Sequence, residues 1–286
     1  MISQITVTQD AIARLEASTA AAAPMVQAGL RARLTYREAA GWLAHYGTWV
    51  HPLDLAMRDM RLTGAYTAAE LGTRLPSVLP ATSATQEGMQ AAPDDRDVAM
   101  ALRQANLWRR LAELRGWAPE AVLPPLGELP PLLEAARMIA GEGGGRLSFP
   151  ATLRAAWLWR ERGGTGEPGL VLWSAPVQRL DRAALAADPV LAILDCIAEA
   201  ASGARRELAR LLAVVERGRG LKATARSRLA DAIAIAVREP IITAGTLGGH
   251  LGVSSRAGAD LIARMVAGGL LREATGRKSW RGFVLV

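Results

Sequence analysis

Apolar residues recur at helical spacing along most of this chain, and proline, glycine and short polar residues cut the recurrences into segments. Thr8 predicts the cap of a first helix through Ile12 and Leu15, and Pro24 opens a second that runs toward Trp42. In the second, Leu30, Leu34, Ala39, Trp42 and Leu43 mark the apolar side, with Arg31, Arg33, Arg37 and Glu38 around the other. Residues 76–95 hold prolines, Ser83, Thr85 and Gly88 without an apolar period and read as a loop. A long helix is predicted over 94–114 on Val98, Leu102, Ala105, Trp108 and Leu111, and five prolines between 119 and 131 end it.

A short helix follows over 132–139, then a glycine cluster at 141–145 and another helix from Phe149 and Pro150 through Ala156, Trp157 and Leu158. Trp157 and Trp159 point to different helix sides, so one is expected in the core and the other at a second contact or a partner. Residues 170–173 form the strand expected before the C-terminal segment. Asp188 and Pro189 make a cap and first-turn pair for a helix through Leu191, Leu194 and Ile197. Gly203 permits a break, after which Leu208, Leu211, Leu212 and Val215 form a stripe suited to an internal core or a dimer contact. The basic stretch 217–222 reads as a loop that either touches phosphate or is solvated, and Thr224 is expected to cap a helix through Leu229, Ala232, Ile233 and Val237.

The most specific pattern lies at 243–286. Thr243 caps a short helix carrying Leu247 and Leu251, Gly252 stops it, and Ser254 caps a second helix whose buried side is Leu261, Ile262 and Met265. Leu270 and Leu271 then lead into a basic turn and a final extended run from Trp280, the pattern of two short strands around a wing. A helix about 10–12 Å across fits the major groove, where base edges can be told apart. Ser254, Ser255, Arg256, Ala259, Asp260 and Arg264 fall on the side opposite the buried residues and are the expected DNA contacts, with Ala263 among them. Arg277, Lys278 and Arg281 are the expected wing contacts. The fold class predicted is mainly α: a multi-helical N-terminal domain followed by a C-terminal winged helix-turn-helix with a two-stranded wing. The expected divisions are a helical domain over 1–140, a connector with a helix and a strand over 141–187, a helical connector or dimerisation segment over 188–222, and the winged helix over 223–286.

Charge sharpens this picture. Of the net +7, residues 201–286 contribute +9 from 15 Lys and Arg against 6 Asp and Glu, while the first 200 residues carry −2. The basic excess thus lies where a polyanion-binding domain would carry it. Only two of the 34 basic residues are lysine, a skew that fits a GC-rich genome better than selection for phosphate contacts. The single cysteine, Cys196, sits among Ile193, Leu194 and Ile197 and is expected to be buried, and three dispersed histidines predict no metal site. The glycine cluster lacks the Lys-Ser or Lys-Thr that closes a phosphate loop and reads as a connector. No run of about 18 apolar residues occurs, so the expectation is a cytoplasmic protein without a membrane partner.

The run Pro240, Ile241, Ile242, then Leu251 to Ser254, Gly269 to Glu273 and Thr275 to Lys278, resembles the winged-helix tail of Fic-type proteins over the last fifth of the chain. His51 and Pro52 match the start of the Fic catalytic motif, but Leu53, Asp54 and Leu55 follow in place of its Gly-Asn-Gly-Arg anion loop, leaving no backbone cradle for a nucleotide phosphate. His51 is therefore expected in a loop or as a cap. The runs at 49–55 and 58–66, with the winged helix at the far end, resemble an uncharacterised family of plasmid-borne bacterial proteins that pair an N-terminal domain of unknown function with a C-terminal helix-turn-helix. The resemblance implies an architecture and no reaction.

The function expected is a non-enzymatic DNA-binding protein, a transcriptional regulator or plasmid-maintenance factor, without cofactor, binding double-stranded DNA. A homodimer would read two half-sites. Two alternatives stay open: an adaptor whose winged helix and N-terminal helices bind protein, and a nucleotidyl-transfer or nucleic-acid-processing enzyme with Asp54, Asp59, Asp94, Asp95 and Asp97 as candidate Mg²⁺ ligands.

Overall fold

The structure, a computed structural model, describes residues 2–45, 50–60, 62, 99–100, 103, 129–141, 149–162, 187–221, 227–275 and 281–286. Among them are nine helices and a two-stranded sheet: α1 (Ile2–Ala20), α2 (Pro24–His45), α3 (Pro52–Asp59), α4 (Pro131–Gly141), α5 (Phe149–Arg162), α6 (Pro189–Arg219), α7 (Leu229–Arg238), α8 (Ala244–Leu251), α9 (Ser255–Ala267), β1 (Leu271–Glu273) and β2 (Phe283–Leu285). The chain is mainly helical with a small C-terminal wing.

Helix α6 is the axis of the assembly. Its 31 residues make it roughly 46 Å long at 1.5 Å per residue, and it packs against α1, α2, α4 and α7. Asp188 caps it, its carboxylate accepting from the Leu191 amide at 3.0 Å, and Pro189 follows with its φ already suited to a helix. The break that Gly203 permits does not occur. Ala200, Ala201, Ala204, Glu207, Leu208 and Leu211 continue the buried stripe through it, so tertiary packing outweighs the glycine's cost of about 1 kcal/mol. Leu208, Leu211 and Val215 of the expected stripe are buried within the chain, and Leu212 lies at its edge, 39% exposed. Cys196 is buried on the same helix, as expected.

Three further expectations are corrected here. Helix α1 begins at Ile2, not at Thr8: Ile5 extends the apolar period backward, and Thr8 sits mid-helix, fully buried, its hydroxyl shared between the carbonyls of Gln4 (2.9 Å) and Leu194 (3.1 Å). That bond ties α1 to α6. Trp157 and Trp159 do not divide between core and partner: each is only 6% exposed, because both sides of α5 are covered. Arg217 and Arg219 are not in a loop but in the last turn of α6, which ends at Gly220.

The loop 76–95, the strand 170–173, the glycine cluster after Gly141, Thr224 and most of the helix 94–114 lie outside the described residues; 99–100 and 103 are helical. Helix α7 begins at Leu229, whose amide donates to Ser227 Oγ at 3.2 Å.

One apolar core runs from Ile5 and Ile12 of α1 through α2, α4, α5 and α6 into Leu247, Ile262, Met265 and Leu285 of the C-terminal segment. A second cluster joins Tyr36, Ala39 and Leu43 of α2 and Leu55 to Met57 of α3 to Ile241, Ala274 and Val284, so α3 covers one side of the wing sheet. The strands pair antiparallel, Leu271 with Leu285, Arg272 with Val284 and Glu273 with Phe283. Ile242 adds a bridge to Phe283 through reciprocal bonds of 3.0 and 2.8 Å, a third edge strand of one residue.

Candidate nucleic-acid interface

Local chemistry explains the helix-turn-helix. Thr243 and Thr246 form a reciprocal capping box at the start of α8, with the Thr246 amide donating to Thr243 Oγ1 at 3.0 Å and the Thr243 amide to Thr246 Oγ1 at 2.9 Å. Gly252 ends α8 with φ +66, the left-handed conformation that glycine adopts without steric cost. Ser254 caps α9, accepting from the Ala257 amide at 3.3 Å.

The two helices then cross at glycine. A Cβ at Gly258 would lie 2.4 Å from the Ala244 carbonyl oxygen, and one at Gly248 would lie 2.9 Å from that of Val253. Only glycine at these positions lets the backbones approach so closely. Leu261, Ile262 and Met265 complete the buried side of α9, as expected.

This packing leaves the opposite side of α9 in solvent. Ser254, Ser255, Arg256, Ala259, Asp260, Ala263 and Arg264 are all exposed. Arg264 Nη1 donates to Ser227 Oγ at 3.2 Å, which holds one basic side chain toward the turn before α7. Sequence reasoning missed that partner because Ser227 lies 37 residues away. At the wing, Arg281 is exposed and its Nε lies 3.8 Å from Glu273 Oε2 across the hairpin. Arg277 and Lys278 lie outside the described residues. Arg238 and His250 also approach each other at an exposed edge, 3.5 Å apart, and neither was singled out from the sequence.

Behind this face, arginines on α2 and α6 hold the winged helix through its backbone carbonyls. Arg33 donates to Val237 (2.7 Å) and Glu239 (3.0 Å) where α7 ends, supplying acceptor-rich termini with a cation. Gly29 beside it is obligatory, since a Cβ there would sit 2.1 Å from the same Val237 oxygen. Arg210 donates to the Leu285 carbonyl, and Arg217 to those of Gly269 and Val286, both at 3.3 Å. Burial pushes Arg33 down to about 10, with the Glu207 carboxylate opposing that shift.

His51 caps α3, its Nδ1 accepting from the Leu53 amide at 3.2 Å, as the sequence suggested. Burial, with Arg37 and Arg272 nearby, pushes it down to about 4, so the ring is neutral and carries its proton on Nε2. Asp54 is buried with Arg58 Nε 3.5 Å away, and burial raises its carboxyl; Asp59 accepts from the Tyr36 hydroxyl. These two acids are thus engaged in structure, and Asp94, Asp95 and Asp97 lie outside the described residues. Among the described residues no group of three His, Cys, Asp or Glu could hold a metal ion, and no helix is long and apolar enough to cross a membrane. No protein-family model matches the chain, and no curated protein matches its sequence.

Proposed function

We propose that this chain is a non-enzymatic, sequence-reading DNA-binding protein of the cytoplasm, a transcriptional regulator or plasmid-maintenance factor, that places α9 in the major groove with the wing beside it. The observation that carries the proposal is the exposed side of α9. Seven residues from Ser254 to Arg264 share it, all short, polar or basic, while the other side is anchored by Gly258, Leu261, Ile262 and Met265. Arg256 and Arg264 match guanine edges or phosphates. Asp260 repels phosphate and accepts a hydrogen bond from cytosine N4, so it belongs at a base edge. The wing's Arg277, Lys278 and Arg281 supply sequence-independent attraction.

Binding to randomised duplex DNA, with the bound pool sequenced at two salt concentrations, tests this. Contact with about six phosphates gives a log–log salt slope of about −5. Arg256→Ala is expected to relax base preference at a cost of about 1–3 kcal/mol, whereas Arg281→Ala weakens all sequences alike. An enriched inverted repeat would add a dimeric arrangement. Absence of retention at low salt overturns the proposal and leaves the winged helix as a protein-binding module.

A further inference from the structure

The end of α9 is flanked by residues that do not belong to the helix-turn-helix. Arg217 of α6 donates to the Gly269 carbonyl at 3.3 Å, and a Cβ at Gly268 would lie 2.7 Å from a methyl of Leu221. One turn earlier on α9, Arg264 meets Ser227, which stands just before α7: its Nη1 donates to Ser227 Oγ at 3.2 Å. The same Oγ accepts from the Leu229 amide at 3.2 Å, so one hydroxyl both caps the start of α7 and holds Arg264. Arg228 follows it, with its Nη1 3.2 Å from Asp231 Oδ2 and both side chains more than half in solvent. Arg264 and Arg228, from two different helices, thus stand on either side of Ser227 at an exposed edge.

A hydroxyl has two lone pairs and one proton. Both lone pairs of Ser227 are taken by N–H donors, so what it has left to give is the proton, and the guanidinium bound to it offers donors only. Side by side on an exposed edge, the two match an acceptor oxygen with negative charge, as on a nucleic-acid backbone phosphate. A guanine edge fits Arg264 less well, because guanine is read by two parallel N–H bonds and one terminal nitrogen of Arg264 is turned to Ser227. We propose that Arg264, Ser227 and Arg228 form a phosphate clamp where α9 meets the start of α7, and that base reading is confined to the first two turns of α9, at Ser255, Arg256, Ala259 and Asp260. The inference rests on the DNA-binding reading of α9 and deepens it, making Arg264 a backbone contact and extending the contact surface to α7. Arg264 is held in place by Ser227, so less side-chain freedom is lost when it takes a phosphate. The Arg228 pair with Asp231 is solvated and weak, so Arg228 turns to a phosphate at little cost.

The test is fluorescence anisotropy of the full chain at several salt concentrations, on the duplex enriched from the randomised pool and on a scrambled duplex of the same length. Arg264→Gln is expected to weaken binding to both duplexes alike, about tenfold, and to reduce the salt slope by about 1, whereas Arg256→Ala narrows the difference between them. Ser227→Asp separates the clamp from the fold. Its carboxylate keeps an acceptor for the Leu229 amide and for Arg264, so thermal unfolding is expected at or above the parental temperature. It has no proton to donate and repels phosphate, so both duplexes are expected to bind about tenfold more weakly. Ser227→Thr keeps the hydroxyl and is expected to bind as the parent does. The inference alone is overturned if the parent discriminates between the duplexes while a folded Ser227→Asp binds both at parental affinity. It is overturned equally if Arg264→Gln removes the discrimination, which would make Arg264 a base reader. Failure of the parent to bind either duplex overturns the DNA-binding reading and the clamp together. If Ser227→Asp unfolds early, Arg264→Gln decides, because the ratio of its two affinities is read on exposed contacts of the folded chain.

Discussion

A methyl group added at Gly203 and one added at Gly258 should move stability in opposite directions. At Gly203, in the interior of α6, a Cβ would meet only the flexible end of Arg206 at 3.6 Å. Gly203→Ala removes backbone freedom from the unfolded chain without a clash, and is expected to stabilise by about 0.5–1 kcal/mol. At Gly258 the same Cβ would meet the Ala244 carbonyl at 2.4 Å, and backbone cannot turn aside as a side chain can. Gly258→Ala is expected to cost about 1–3 kcal/mol by forcing α8 from α9. Urea unfolding of the pair checks both, and equal effects would mean that the two helices do not cross at this glycine. His51 gives a residue-scale dependence on pH. Its lone pair on Nδ1 holds the Leu53 amide, and its pKa is lowered from 6.5 to about 4. Between these values the unfolded chain binds a proton that the folded chain refuses, so stability is full above pH 6.5 and falls as pH drops toward 4. The loss expected is about 1–3 kcal/mol. The buried Asp54, with its carboxyl raised, acts with the opposite sign as pH rises past 3.8. Comparison with His51→Asn, which caps without titrating and retains Asp54, isolates the histidine: the variant should show a flatter profile across this window.

At the scale of elements, what the sequence disclosed is what local chemistry decides. Thr243, Gly252 and Ser254 act on residues within a turn of themselves, so the ends of α8 and α9, and with them the exposed side of the candidate interface, were readable. The strands of the wing were readable too, because the apolar pair Leu270 and Leu271 and a final extended run stand on either side of a turn rich in small and basic residues. Thr8 misled because a hydroxyl that caps a helix can equally bond within one, and the partner that decides, the Leu194 carbonyl, is 186 residues away. Ile242 was not seen as a strand because a one-residue bridge has no period. Arg33 read as one of the charges around the side of α2 away from its apolar positions, and only the fold brings it to the α7 carbonyls 204 and 206 residues along. The Glu207 cluster shows how much such distant pairing carries. Glu207→Gln would leave three arginines around an uncharged amide, and removal of one member of a buried ionic group is expected to cost about 3–5 kcal/mol. A chemical denaturation midpoint within error of the parent would show that these contacts are solvated and weak.

For the whole molecule, the consequence is mechanical. The core that begins at Ile5 ends at Leu285 without a seam, and α6 presents Leu211, Val214 and Val215 to it near the winged helix while Ile193 and Leu194 serve the other end. Arg33, Arg210 and Arg217 add bonds from α2 and α6 to carbonyls of α7, β2 and the turn before β1. A winged helix held in this way is braced against α2 and α6 rather than joined to them by a linker alone. Such continuity predicts that the segments open together. Hydrogen exchange under native conditions is expected to give amides in α2, α6, α7 and α9 one common opening free energy, with Glu207→Gln lowering all four by the same amount. A fragment limited to 223–286 would lose the α2 and α6 surfaces that cover Leu229, Ile233 and Val237, and is expected to unfold at lower temperature than the full chain. Faster exchange in α2 than in α9 would separate the two halves energetically. It would then make the arginine contacts a docking interface between independent units, and DNA binding by the isolated fragment would follow. With a common opening energy, any ligand that tightens the packing of α2 and α6 on α7 and β2 instead tightens α9 as well, since all belong to one cooperative unit.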